Sequence, residues 1–167
     1  MSAFPLRRLL ATVWLGLAAT AAGADPLPPD TRFSAIRVDV GPLRARGLGP
    51  FATAVQDDLQ AALARTFAGR VGGPGPALVV RVTGVSLNAY AGSESRFGRG
   101  GGMNSDYLDG EALVVGRRGE VLARHPQLSA NPASSGGAWY DPASERRRLV
   151  SLTEHYAWWL RRGLGLD

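Results

Sequence analysis

The sequence predicts an α+β fold: a two-layer sandwich with a mainly antiparallel sheet of about four strands and two helices on one face. Three observations carry this. Apolar or alternating runs of strand length occur four times, at residues 36–40, 78–87, 107–115 and 120–124. Two other segments, near 50–67 and from 142 onward, repeat apolar residues every three or four positions, the period of a helix. The last three strand signals follow one another with no helical segment between them, so the order reads β-α-β-β-β-α.

Residues 1–24 stand apart from this pattern. Arg7 and Arg8 precede an apolar stretch over 9–22, and Ala22-Gly23-Ala24 offers a small-x-small cleavage site before Asp25-Pro26. Charge, short apolar core and small residues in that order form a secretory signal peptide. Its apolar core of 14 residues is too short to span a hydrocarbon layer of ~30 Å. Paired arginines are ordinary in such segments, so general secretion is expected. The expectation is a periplasmic or secreted protein cleaved near Ala24, with no transmembrane segment afterwards. An extended leader over 25–32 follows, in which Pro26, Pro28 and Pro29 forbid a helix or a central strand. The single domain then runs over 33–167.

Ile36, Val38 and Val40 alternate with Arg37 and Asp39 as in a half-buried strand, which Gly41-Pro42 ends. A helix follows with Gly49 at its N-cap and Pro50 at N1. Phe51, Val55, Leu59, Leu63 and Phe67 form its apolar stripe, and Gly69 and the glycines at 72, 73 and 75 stop it. A β-branched strand over 78–87 leads into a glycine-rich connection over 91–105 and a strand over 107–115. Gly116-Arg117-Arg118-Gly119 reads as a tight turn, with a short return strand over 120–124. A long polar loop over 126–140 is expected next. In the last helix Asp141 caps, Pro142 sits at N1 and Gly163 follows the end.

Composition narrows the chemistry. The chain has no cysteine, which removes disulfides, thiol nucleophiles and thiolate metal sites. All 19 basic residues are arginine, so a Walker A lysine, a Schiff-base lysine and a Ser-Lys dyad are excluded. After loss of residues 1–24, 17 Arg against 14 acids leave a charge of +3 on 143 residues. So mild an excess does not point to nucleic acid.

Candidate sites are few. The glycine-rich segment over 98–103 lacks the third glycine of G-x-G-x-x-G, where Met103 stands, and it precedes a strand instead of a helix. It reads as a loop whose Arg96 and Arg99 can touch an anionic partner. Asp109 and Glu111 lie two apart on one strand face beside Tyr107, with Arg81 as the expected cross-strand partner. Asn104, Asp106 and Asp109 resemble a fragment of a calcium loop broken at Leu108, and no metal is assigned. His125 and His155 sit in different elements without metal-ligand spacing. The stretch Gly84-Val85-Ser86-Leu87-Asn88 misses the last glycine of a nucleophile elbow. No catalytic residue and no cofactor is assigned.

The C-terminal helix is the most informative element. Leu149, Leu152, Tyr156, Trp159 and Leu160 are expected to form its core stripe. Trp158 then falls on the opposite side, near Glu154, Arg161 and Arg162, with Arg147 earlier on the helix. Two readings stand: Trp158 anchors a partner, or it lies under the 126–140 loop with Trp139 and Tyr140.

The signal, the strand-helix start, the apolar strand Pro76-Ala77-Leu78-Val79-Val80-Arg81-Val82, the strand Leu108-Asp109-Gly110-Glu111-Ala112-Leu113-Val114-Val115 and the return Gly119-Glu120-Val121-Leu122-Ala123 together resemble small bacterial envelope families, many of them lipoproteins. The resemblance implies an accessory or assembly subunit without chemistry of its own. This chain departs from those families in lacking their lipid-bearing cysteine. The expectation is a non-catalytic, soluble periplasmic accessory or binding module whose partner is an envelope protein or an anionic envelope component. A small hydrolase built on Asp109 and Glu111 is the alternative. A peripheral binder of anionic lipid or lipopolysaccharide is the other.

Overall fold

A computed structural model of the chain describes residues 26–88, 105–138 and 140–167. The signal segment, Arg96, Arg99, Asn104, the glycine-rich stretch over 98–103 and Trp139 lie outside the described residues. The elements are β1 (Ile36–Asp39), α1 (Gly41–Ala45), α2 (Gly49–Thr66), β2 (Ala77–Ser86), β3 (Ser105–Val115), β4 (Val121–Pro132), a 3-10 turn (Ala133–Gly136) and α3 (Ser144–Gly163). The fold class is α+β, as the sequence predicts.

The four strands form one open sheet in the order β1-β2-β3-β4. β1 pairs with β2 in parallel, Ile36 opposite Leu78, because α1 and α2 carry the chain back across the sheet before β2 begins. The remaining strands form an antiparallel meander, with Gly110 opposite Gln127 midway along β3 and β4. Strand alternation sends Leu78, Val80 and Val82 of β2 and Leu108, Ala112 and Val114 of β3 to one face. There they meet Val55, Leu59 and Leu63 of α2 and Leu149, Leu152, Tyr156 and Leu160 of α3 in one core. Phe67, just past α2, closes its end by an edge-to-face contact with Phe33, with ring centroids 6.1 Å apart.

Four boundaries differ from expectation. Gly49 and Pro50 are both inside α2, whose N-cap is Leu48; proline suits the first turn, where its missing N–H has no intrahelical acceptor. Gly41-Pro42 does end β1, but it also opens the short helix α1. Asp141 does not cap α3. Its carboxylate accepts the Ala143 N–H at 2.8 Å in a turn ahead of the helix, whose N-cap is Ala143. Gly163 is the last residue of α3, and Gly165, at φ +73°, makes the left-handed exit. The Gly165 N–H donates to the Arg162 carbonyl and the Leu166 N–H to the Arg161 carbonyl, a Schellman closure that buries Leu166.

The largest departure is β4. The sequence predicts strand over 120–124 and polar loop beyond, but β4 continues to Pro132. Pro126 lies inside it, opposite Glu111. A proline lacks the N–H for a ladder bond, so it is tolerated only where the amide faces away from its neighbour, on an edge strand. β4 is such an edge.

The leader is docked on the domain. The Leu27 N–H donates to the Leu164 carbonyl at 2.9 Å. Arg70 donates to the carbonyls of Pro29 at 2.7 Å and Leu166 at 3.0 Å, tying leader and C-terminus together.

Candidate binding groove

The two histidines that the sequence separates by 30 positions line one groove. It has a volume of about 450 Å³ and runs between the free edge of β4 and the outer side of α3. One wall is His125 through Ala130 of β4. The other is His155, Trp159 and Gly163, spaced four residues apart and so stacked along one helix stripe. Gln127 fixes the two elements together. Its amide donates to the Tyr156 carbonyl at 2.8 Å and to the Ser129 hydroxyl at 3.2 Å. Farther along, the Asn131 amide donates to the Ser151 hydroxyl at 2.7 Å.

His125 packs so closely on α3 that a Cβ added to Gly163 would come within 2.5 Å of its Nε2. Burial holds both imidazoles below their ordinary pKa of 6.5, because the charged form loses hydration there. Apart from these two rings, no ionisable side chain lines the groove among the described residues.

At the rim stands an aromatic cluster that the sequence only half anticipates. Trp158 is 49% exposed, which supports neither burial under a loop nor a place in the core. Trp159, expected on the core stripe, is 43% exposed, and that expectation is corrected. The buried face of α3 centres on Leu149, Thr153, Tyr156, Ala157 and Leu160. At about 100° per residue Trp159 lies roughly a quarter-turn from that centre. Its ring meets Trp158 edge-on, with centroids 4.9 Å apart, and His155 at 6.0 Å. The Arg162 guanidinium carbon lies 5.6 Å from both indole centroids.

The other arginines of α3 hold intramolecular partners. Arg161 donates to the carbonyls of Thr66 and Leu166, and Arg147 to the Gly136 carbonyl and the Asp141 carboxylate. Arg146 pairs with Asp58. Arg148 is buried against Asp106, with Nε 2.7 Å from Oδ2, and donates to the Asn88 carbonyl at 2.7 Å. Asp106 therefore faces the helices, while Asp109 lies on the opposite face of the sheet. Nothing in a run of three arginines, 146–148, reveals that the third is a core residue.

On the open face a ladder of alternating charge crosses all four strands. Asp39 of β1 accepts from Arg81 of β2 at 3.0 Å, Arg81 reaches Glu111 of β3 at 3.5 Å, and Glu111 accepts from Arg124 of β4 at 3.2 Å. The Arg81–Glu111 pairing is the one the sequence predicts. The backbone N–H of Gly41 and then the Arg81 guanidinium hold the Asp39 carboxyl below its ordinary range. Asp109 accepts from the Thr83 hydroxyl at 2.8 Å. Asp109 and Glu111 thus face away from the groove and do not converge with either histidine.

No group of three or more metal-ligating side chains gathers among the described residues, and none of their helices is long and apolar enough to cross a membrane. No family model matches the chain, and no curated protein matches it. Among solved structures the chain is similar to the crystal structure of a minor lipoprotein from Acinetobacter baumannii. The identity is 13% and the TM-score 0.46, over 80% of this chain and 92% of that one.

Proposed function

We propose that the protein is a non-catalytic accessory or binding module of the bacterial periplasm, which holds an envelope component at the groove between β4 and α3. The observation that carries this reading is the exposed Trp158–Trp159–Arg162 cluster at the groove's rim. Two tryptophans leave large apolar area in water on the side of α3 turned from the core, and aromatic and arginine side chains dominate binding energetics at interfaces. The signal-like N-terminal segment supports an envelope setting. Arg147 and Arg161 serve the fold through the bonds above, so the proposed contact narrows to Trp158, Trp159 and Arg162, with Arg96 and Arg99 as further contacts.

The test is capture from the host's own envelope fraction with the exported protein as bait. The double variant Trp158→Ala/Trp159→Ala should lose at least tenfold in recovery of the specific partner at unchanged circular dichroism. Equal recovery by the folded double variant would sink the reading.

A further inference from the structure

The two edges of the sheet are treated differently. On β1 the outward carbonyls of Ile36 and Val38 accept from the side-chain amides of Gln60 and Gln56, at 3.1 and 3.2 Å, so α2 covers that edge. On β4 no described residue does the same. Pro126 sits where the amide faces outward, and antiparallel alternation puts Leu128 and Ala130, two and four residues on, in the same orientation. Their N–H and C=O groups point into the groove whose far wall is the His155–Trp159–Gly163 stripe.

From this we infer that the groove takes an extended peptide, which adds as a fifth strand along β4 and lays alternate uncharged side chains against Trp159. The inference rests on the proposed function and names its ligand class. Six consecutive β4 residues line the groove, a length of about 20 Å at roughly 3.3 Å per residue, which suits a peptide of five or six residues. Main-chain bonds would supply affinity and the indole pocket selectivity, as in other strand additions between a sheet edge and a helix. Among the described residues the groove walls carry no fixed charge, which favours uncharged side chains over an acidic or basic segment. A second copy of this chain fits poorly. In edge-to-edge pairing with a second copy Pro126 and Pro132 would remove outward donors from both strands, whereas a proline-free peptide keeps all of its own.

The experiment uses the exported protein and an array of uncharged, end-blocked decapeptides with alternating Val, Phe, Thr and Ser. Binding is read by tryptophan emission and by hydrogen exchange. The expected result is a bound peptide that slows exchange of the Leu128 and Ala130 amides at least tenfold. N-methylation of one alternating set of its amides should weaken it at least tenfold, and of the other set hardly at all. Leu128→Pro, which removes an outward donor without touching the β3 ladder, should weaken it similarly. The N-methyl series decides the matter even if that variant does not fold. Four results would overturn the inference: no binder in the array, equal weakening by both N-methyl sets, a chito-oligosaccharide that binds the groove in place of peptide, or protection of the β4 amides by concentration-dependent dimerisation alone. If peptides fail while the double tryptophan variant still loses envelope capture, strand addition falls and the proposed function stands.

Discussion

Trp158 and Trp159 are adjacent in sequence and similar in exposure, so truncating either should cost little stability. We expect Trp158→Ala and Trp159→Ala each to destabilise by no more than about 1 kcal/mol, against ~2–5 for Leu160→Ala in the core. Denaturant unfolding checks it, and a loss at Trp159 as large as at Leu160 would return it to the core. Arg148 is the opposite case, a charged side chain with 2% exposure. Arg148→Met should cost about 3–5 kcal/mol, because it strands the Asp106 carboxylate in the interior. The Tyr156 hydroxyl is buried with no hydrogen-bond partner among the described residues. Burial raises its pKa well above the usual tyrosine range, with the charges of Asp109 and Glu111 adding to the effect. Tyr156→Phe should therefore leave the melting temperature unchanged or raise it, since the lost hydroxyl satisfies nothing. The apolar role of Tyr156 is legible in the helical period. The depth of Arg148 is not, because burial of a charge depends on a partner 42 positions away.

At the scale of elements, α2 and the β3–β4 turn follow local rules closely. The turn is closed by the Gly116 N–H donating to the Glu120 carbonyl, with Gly119 at φ +85°. β4 escapes those rules. Its polar residues from Gln127 onward read as loop, yet the free edge of β3 supplies a ladder that outweighs weak local propensity. The groove that β4 makes with α3 should be sensitive to pH. Burial depresses the pKa of both His125 and His155, so below pH 6.5 the folded protein binds fewer protons than the unfolded chain. Stability is then full above that value and falls as pH drops toward the depressed folded pKa values. Unfolding midpoints between pH 7.5 and 5 should decline, and the decline should shrink in His125→Gln/His155→Gln. An equal decline in that variant would assign the pH dependence to other groups.

The whole molecule is a sheet whose two faces have different tasks. Helices cover one, and the Asp39–Arg81–Glu111–Arg124 ladder keeps the other wettable. Docking of Leu27 onto Leu164 and of Pro29 onto Arg70 makes the leader part of the folded body, so trimming it has a cost. Removal of residues 25–32 should lower the melting temperature, by loss of the Arg70 clamp and the Leu27–Leu164 bond. The exported protein is expected to begin at Asp25, which N-terminal sequencing of the periplasmic fraction checks. An intact Met1 terminus in the cytosol would overturn the export expectation.

The sequence by itself determined the fold class, the order of the four strands and the two long helices, the apolar stripe of α2 and the Arg81–Glu111 pairing. The first three follow from periodicity and local spacing, which are written directly in the chain; the pairing, between residues 30 positions apart, follows from setting two predicted strands side by side. The tertiary structure alone decided that β4 is twelve residues long, that Arg148 is buried, that Trp159 faces solvent and that His125 and His155 share a groove. These depend on which surfaces meet across the fold. A helix with several apolar faces, or a polar segment beside an unpaired strand edge, has its environment chosen by its neighbours in space.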